Sequence, residues 1–282
     1  QPILMSIASI QELNDDKEKA KIFVYAGSTK GQIYCWNPGK PSIGEDGKSQ
    51  WTAEDSKKVK VEPEAKYPFT FKGNFGAVNV LKRINMDGIY RLLAAGKGGF
   101  ISILDAKGSE LTVVMNFSLA EKLIDTKYFA PSFENKVFHS LDSQIRAVDI
   151  KYGADKDTFN LIFGTKGSEI YEVGVRNKQL VEGSVKCIMQ GHSTGGSKNG
   201  AELWGLAIYP TTGKPITNKS YTIKTRRPIY ATSGDDNRVR VWNVGHVRNS
   251  KFTKSDGPKL IAISEQLDAF SRALDWSRDG EK

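Results

Sequence analysis

The sequence predicts an all-β protein built from four-stranded propeller blades, about four of them followed by the start of a fifth. Two observations indicate this class. Short apolar runs typical of strands dominate the chain, and helical periodicity is scarce. A glycine turn between two strands also recurs at a nearly constant interval of 69, 68 and 70 residues. The recurring glycines are Gly27, Gly96, Gly164 and Gly234.

Each glycine turn is preceded by a candidate inner strand. These strands are predicted at residues 3–10, 77–84, 145–150 and 203–209. A further run at 271–277 predicts the first strand of a fifth blade. Because four units and an additional strand do not close a ring of six or seven blades, we expect an incomplete ring or part of a tandem propeller. A four-bladed ring is the alternative, and the run at 271–277 argues against it. The first residue is Gln, so we also expect a processed or shortened piece of a longer protein.

Two short segments, 118–126 and 264–268, are the helix candidates. The repeat is longer than the usual ~40–45 residues of this class, because polar insertions separate its strands. The segment 211–228, here called the basic arm, contains five basic residues and no acid. Its candidate partner-binding residues are Lys214, Lys219, Tyr221, Lys224, Arg226 and Arg227. A solvated loop and an arm that reaches an acidic partner both fit this composition.

The stretch from Gly191 to Asn243 carries the most specific motif. It opens with Gly-His, and it closes with Trp-Asn where Trp-Asp is usual, which is the signature of one WD-repeat blade. In such a blade a buried polar network often joins four side chains. Here they are predicted to be His192, Thr232, Asp236 and Trp242. The alternative function of the His–Asp pair is a catalytic dyad or a metal site, and the motif favours the structural network.

Composition and net charge limit the kinds of partner that the protein is expected to bind. The net charge of +9 favours anionic partners, which include nucleic acid, acidic lipid and acidic protein surfaces. No apolar run approaches the ~18 residues that a membrane helix needs, so no membrane contact is expected. Nucleic acid is disfavoured, because no recognised motif accompanies the charge. Cys35 and Cys187 each lie in a strand-like run, which favours buried thiols in a reducing compartment over a disulfide.

The sequence gives no positive indication of catalysis. Gly96 and Gly99 lie between strands rather than at the start of a helix, where a phosphate-binding loop would place them. The two cysteines lack the spacing of metal ligands. We therefore expect no enzyme activity, no catalytic residue, no metal and no cofactor.

The order of motifs resembles the echinoderm microtubule-associated-protein-like family of WD-repeat proteins. The most specific match is Gln-Gly-His at 190–192 followed by Glu-Leu-Trp-Gly-Leu-Ala at 202–207. The other matching stretches are 31–36, 76–81, 95–99, 143–148, 163–170 and 262–280. The resemblance covers nearly the whole chain apart from the insertions, and the basic arm is not part of the family pattern.

The resemblance implies two propellers packed side by side. Residues 1–190 would be the last three blades of the first propeller, and 191–282 the first blade and the start of the next blade of the second. It also implies a non-catalytic scaffold that binds tubulin or microtubules in the cytoplasm, on the cytoskeleton, with a cilium or axoneme as a further location. The alternative is a general WD-repeat platform that binds other proteins through its rim loops.

Overall fold

The computed structural model describes fourteen stretches of the chain, and its regular structure there is β-strand only. These stretches are residues 3–12, 21–36, 42–43, 49–50, 77–108, 110–118, 144–153, 158–190, 192, 202–210, 216–218, 221–223, 228–244 and 258–277. The strands form four antiparallel sheets, the blades of a β-propeller fold, and two small hairpins. The all-β propeller class is thereby confirmed.

The first compact unit, Gln1–Leu119, contains two of the sheets. The first sheet has the order β1-β2-β3 and consists of β1 (Leu4–Glu12), β2 (Lys21–Ser28) and β3 (Ile33–Trp36). A hairpin follows, made of β4 (Ser42–Ile43) and β5 (Ser49–Gln50). The second sheet is a meander of β6 (Val78–Met86), β7 (Ile89–Gly96), β8 (Phe100–Lys107) and β9 (Glu110–Ser118).

The second compact unit, Ala120–Lys282, contains the other two sheets. The third sheet consists of β10 (Ile145–Tyr152), β11 (Thr158–Thr165), β12 (Glu169–Arg176), β13 (Gln179–Leu180) and β14 (Lys186–Gln190). The fourth has the order β15-β18-β19-β20 and consists of β15 (Leu203–Ile208), β18 (Ile229–Gly234), β19 (Val239–Asn243) and β20 (Lys259–Ile263). Between β15 and β18 lies the hairpin of β16 (Ile216–Asn218) and β17 (Tyr221–Ile223).

Each unit has its own apolar core between its two sheets. In the first unit, Tyr25, Val78 and Leu92 are fully buried in one cluster. In the second, Leu203 and Tyr230 of the fourth sheet pack in one cluster with residues of the third. Burial of these side chains supplies the main driving force for folding, because apolar area leaves water. Buried β-strands with apolar residues on both faces are expected for sheets that pack against each other.

Burial falls across the fourth sheet from its inner strands to its outer edge. All six residues of β18 are buried, the five residues of β19 are half-buried, and β20 is half-buried or exposed. This gradient is the one expected for a propeller blade, whose outer strand faces solvent. The inner pair therefore holds the positions where a polar side chain must find a partner.

All four inner strands share one irregularity that the sequence pattern does not reveal. The register shifts near the start of β1, β6, β10 and β15, opposite the end of the neighbouring strand. A β-bulge at this place increases the local twist of the strand. The same bulge at the same position in four sheets is independent evidence that the chain contains an internal repeat.

The recurring glycines lie where the chain leaves no room for a side chain. A Cβ atom on Gly234 would lie 2.8 Å from the carbonyl oxygen of Glu202 and 2.8 Å from Cγ of His192. A Cβ atom on Gly96 would meet the backbone of Ala77. Gly96 and Gly234 are therefore required by close approach of the preceding segment to the strand end, whereas a Cβ atom on Gly27 or Gly164 would meet the side chain of Val78 or Leu203 in the next sheet.

Several expectations are wrong. Residues 264–268 form no helix, and Ser118 is the last residue of β9; residues 119–126 lie outside the described ones. The run at 271–277 forms no strand. Both cysteines are free thiols, but Cys187 is exposed rather than buried.

The segment 211–228 was expected to be a loop, and its described part is instead the β16–β17 hairpin. The apolar and β-branched residues of this part pair across the hairpin, with Ile216 opposite Ile223 and Thr217 opposite Thr222. The boundary between two propellers at 190/191 stays a prediction, as do the two domains that it would separate.

Candidate functional site

The polar network predicted in the fourth sheet assembles around His192. Nδ1 of His192 lies 2.8 Å from Oδ1 of Asp236, in the turn between β18 and β19, and Nε2 lies 2.9 Å from Oγ1 of Thr232 in β18. Nε1 of Trp242 in β19 donates to the same Oγ1 at 2.8 Å. The structure thus brings all four predicted residues together and joins the segment before β15 to two strands and their turn.

One assignment of the protons gives each of the four predicted side chains a partner. The indole N–H of Trp242 can only donate, so the oxygen of Thr232 accepts from it. The hydroxyl of Thr232 then donates to Nε2 of His192, and Nδ1–H of the imidazole donates to the carboxylate of Asp236. The imidazole is neutral in this arrangement, and none of the four side chains lacks a partner.

The local electrostatics agree with a neutral imidazole. Burial lowers the pKa of His192 below its ordinary value of 6.5, and the charge of Arg240 lowers it further, against the opposing effect of Asp236. Burial tends to raise the pKa of Asp236, but hydrogen bonds from His192 and Arg240 outweigh burial and hold this pKa below its ordinary value. The carboxylate is therefore the single anion of the network at neutral pH.

A fifth member, Arg240, was missed at the level of sequence. Its Nη1 forms an ion pair with Oδ2 of Asp236 and lies 2.5 Å from Nδ1 of His192. The alternation of a strand places Arg240 and Trp242 on the same face of β19. Because Trp242 was assigned to the network, this alternation could have placed Arg240 in the network as well.

The network is also tied to the third sheet. The backbone N–H of His192 donates to Oγ of Ser168 at 2.9 Å, and Ser168 lies in the turn between β11 and β12. Ser168 is buried and has a positive φ of 71°. His192 thus connects the turns of two neighbouring sheets, which is a structural task.

The arrangement leaves His192 no free nitrogen for chemistry. Its side chain is fully buried, and each ring nitrogen already contacts a protein group. A metal ligand or general base needs a lone pair directed at an open position. Among the described residues, no group of three or more His, Cys, Asp or Glu is placed to hold a metal ion. The geometry therefore fits a blade-stabilising role for the network.

The structure describes one of the six residues predicted to bind a partner. Tyr221 is the first residue of β17. The five basic residues, Lys214, Lys219, Lys224, Arg226 and Arg227, lie outside the described residues. The hairpin between β15 and β18 leaves the fourth sheet at the end where Ile208 pairs with Tyr230.

The sheets and the His192 network define the class: a β-propeller protein with one blade fixed by a buried polar network. No protein-family model matches the chain, and no curated protein matches it. The likeness to the echinoderm microtubule-associated-protein-like family therefore rests on the motifs of the sequence alone. Within the described part of the chain, no helix has both the length and the apolar character needed to cross a bilayer.

Proposed function

We propose that the protein is a non-catalytic WD-repeat scaffold that binds microtubules through electrostatic attraction between its basic arm and their acidic surface. It would act in the cytoplasm on the cytoskeleton, with a cilium or axoneme as a further location. The observation that carries this proposal is the concentration of positive charge: the arm has five basic residues and no acid, in a chain of net charge +9.

The placement of the hairpin supports the proposal. Strands β15 and β18 are direct neighbours in the fourth sheet, so the chain between them must leave the sheet and return at one end. Paired strands β16 and β17 give that excursion a defined core of backbone hydrogen bonds.

The test is co-sedimentation of the purified chain with stabilised microtubules at low salt. One variant replaces all five basic residues of the arm with Gln. A matched control replaces five exposed basic residues in strands and turns outside the arm with Gln: Lys30, Arg83, Lys97, Lys107 and Arg176. Both variants lose the same charge, so a difference between them reports on position.

The proposal predicts that the arm variant loses most of its binding and that the control variant keeps more. Equal losses would assign the attraction to net charge rather than to the arm. Full binding by the arm variant would remove the arm from the account. Circular dichroism and a thermal melt of each variant establish that the sheets are intact.

A further inference from the structure

A second group of polar and aromatic side chains, half-buried except for the exposed Phe270 and Arg272, lies at one end of the third and fourth sheets, within the second compact unit. The guanidinium of Arg146 lies over the ring of Trp204, 4.3 Å from its centroid, and that of Arg272 lies 5.2 Å from the same centroid. Phe270 stacks on Trp204 with centroids 5.8 Å apart. Together with three charged neighbours these form the Trp204 cluster: Arg146, Lys166, Glu202, Trp204, Asp235, Phe270 and Arg272.

Both carboxylates of the cluster already accept hydrogen bonds or form ion pairs within it. Glu202 forms ion pairs with Arg146 at 2.7 Å through one oxygen and with Lys166 at 3.2 Å through the other. Asp235 accepts from Nε1 of Trp204 at 2.5 Å and from the backbone N–H of Glu202 at 3.2 Å. Among the described residues, neither acid forms an ion pair with Arg272.

Arg272 is the cation that remains. It is exposed, and no carboxylate of the described residues forms an ion pair with it. Its guanidinium lies over the rings of Trp204 and Phe270. Stacking uses the face of the guanidinium and leaves its N–H edge free for a planar anion such as a carboxylate.

Apolar surface lies beside this cation. Phe270 is 39% exposed and Leu267 is 38% exposed. The segment that carries them is fixed, because the N–H of Leu267 donates to the carbonyl of Asn237 at 2.8 Å and Oγ of Ser233 donates to the carbonyl of Ser271 at 2.8 Å. Trp and Arg side chains held in one place are the residue types that dominate the binding energy of protein interfaces.

We propose that the Trp204 cluster is a docking surface for an acidic peptide segment of a partner protein. A carboxylate of the peptide pairs with the N–H edge of Arg272, and an apolar side chain next to it packs on Phe270 and Leu267. The cluster has three cations and two anions, and this excess of positive charge complements a carboxylate.

A nucleic-acid strand fits this surface less well. Bases bind proteins by stacking on open aromatic faces, and Trp204 already contacts two guanidinium groups and the ring of Phe270. The covered ring of Trp204 disfavours a stacked base, whereas the N–H edge of Arg272 can pair with a single carboxylate.

The cluster and the point where the chain enters the basic arm lie at opposite ends of β15. Trp204 lies near the start of β15, whereas the arm leaves the sheet after the last residue of this strand, Ile208. At a rise of about 3.4 Å per residue these positions are about 14 Å apart along the strand. Binding at the cluster therefore does not rest on the microtubule proposal.

The test uses fluorescence anisotropy with a labelled peptide of repeated Glu-Gly-Leu units and the full chain. A peptide with Gln in place of Glu and a thymidine oligonucleotide of equal length are the comparison probes. The test variant is Arg272→Gln. Its matched control is Arg83→Gln, because Arg83 is also exposed and lies over an aromatic ring, that of Tyr90 at 5.0 Å.

We expect the Glu peptide to bind more tightly than the Gln peptide, and Arg272→Gln to weaken its binding about tenfold, the effect of one lost charge-assisted hydrogen bond. Arg83→Gln is expected to leave it unchanged. No binding of the Glu peptide, or equal weakening by both variants, would overturn the proposal. Tighter, Arg272-dependent binding of the oligonucleotide would replace it with a nucleic-acid site. The arm variant is expected to bind the peptide normally, which separates this result from the microtubule test.

Discussion

At the scale of single residues, His192 matters because it is a buried polar ring without a net charge. Burying an imidazolium would require a compensating anion, and Asp236 is already paired with Arg240. The neutral ring instead accepts from Thr232 and donates to Asp236, so two turns and two strands share one set of hydrogen bonds. Removal of the ring deprives Thr232 and Asp236 of one buried partner each.

The substitution His192→Ala is accordingly expected to lower the free energy of unfolding by about 1–3 kcal/mol, because Thr232 and Asp236 lose a buried partner. Urea denaturation followed by circular dichroism measures this change. His192→Gln, which keeps one donor and one acceptor, is the matched variant and should lose less. If His192→Ala melts like the parent chain, the network contributes nothing to stability.

Lowering the pH should reduce the free energy of unfolding through the same residue, His192. The folded chain holds the pKa of His192 below its ordinary value of 6.5, so near that pH the unfolded chain takes up a proton that the folded chain does not. The stability that comes from the neutral ring is complete above that value and is lost as pH falls through the window beneath it. We expect the free energy of unfolding of the parent chain to decline as pH falls below 6.5.

The comparison for this pH dependence is His192→Gln, which cannot titrate and should show a smaller slope over the same range. The carboxylate of Asp236 loses its own contribution only at lower pH, as pH falls below its ordinary value of 3.8, so it does not obscure the result. Equal slopes in the two proteins would mean that His192 is not buried as a neutral ring.

At the scale of elements, the turn after β18 depends on the absence of a side chain at Gly234. The substitution Gly234→Ala forces a methyl group against the backbone of Glu202 and the ring of His192, and we expect a loss of about 1–3 kcal/mol. Gly174→Ala in β12 is the control, because its nearest neighbours would lie at an ordinary 3.4 Å. Thermal melts compare the two; a Gly234→Ala protein as stable as the Gly174→Ala protein would contradict the packing of this turn.

The strands and glycine turns were predictable because their signals are local. The alternation of apolar residues and a glycine at each strand end fixed the inner strands to within one or two residues, as for 145–150 against Ile145–Tyr152. The His192 network was predictable from the Gly-His and Trp-Asn motif. Nothing in a single strand encodes the repeated bulges, since a bulge exists only relative to a partner strand.

The segment 271–277 illustrates the limit of a local signal. Its apolar residues are those of a strand, yet they bind through side chains: Trp276 packs edge-on against Tyr209 at 5.2 Å, and Leu274 lies close above Gly205. No described strand pairs with the segment. The same side-chain contacts hold Arg272 beside Trp204, so the Trp204 cluster could not be predicted from a motif.

At the scale of the whole molecule, the net charge of the protein and the cations held in internal ion pairs act differently. The excess of +9 acts at a distance and accelerates encounter with any acidic surface. Individual cations held by neighbours, such as Arg240 against Asp236, are already neutralised and take no part in that attraction. The residues available to a partner are the ones without an internal anion, and the basic arm has no acid of its own.

The most direct measurement for the proposed scaffold is the salt dependence of microtubule co-sedimentation. Exposed charges are screened beyond about 8 Å at physiological ionic strength, so we predict that the parent chain binds tightly at low salt and loses affinity steeply as salt rises. The arm variant should bind weakly and show a shallow dependence. Tight binding of the parent chain that is insensitive to salt, or absence of binding at low salt, would contradict the account.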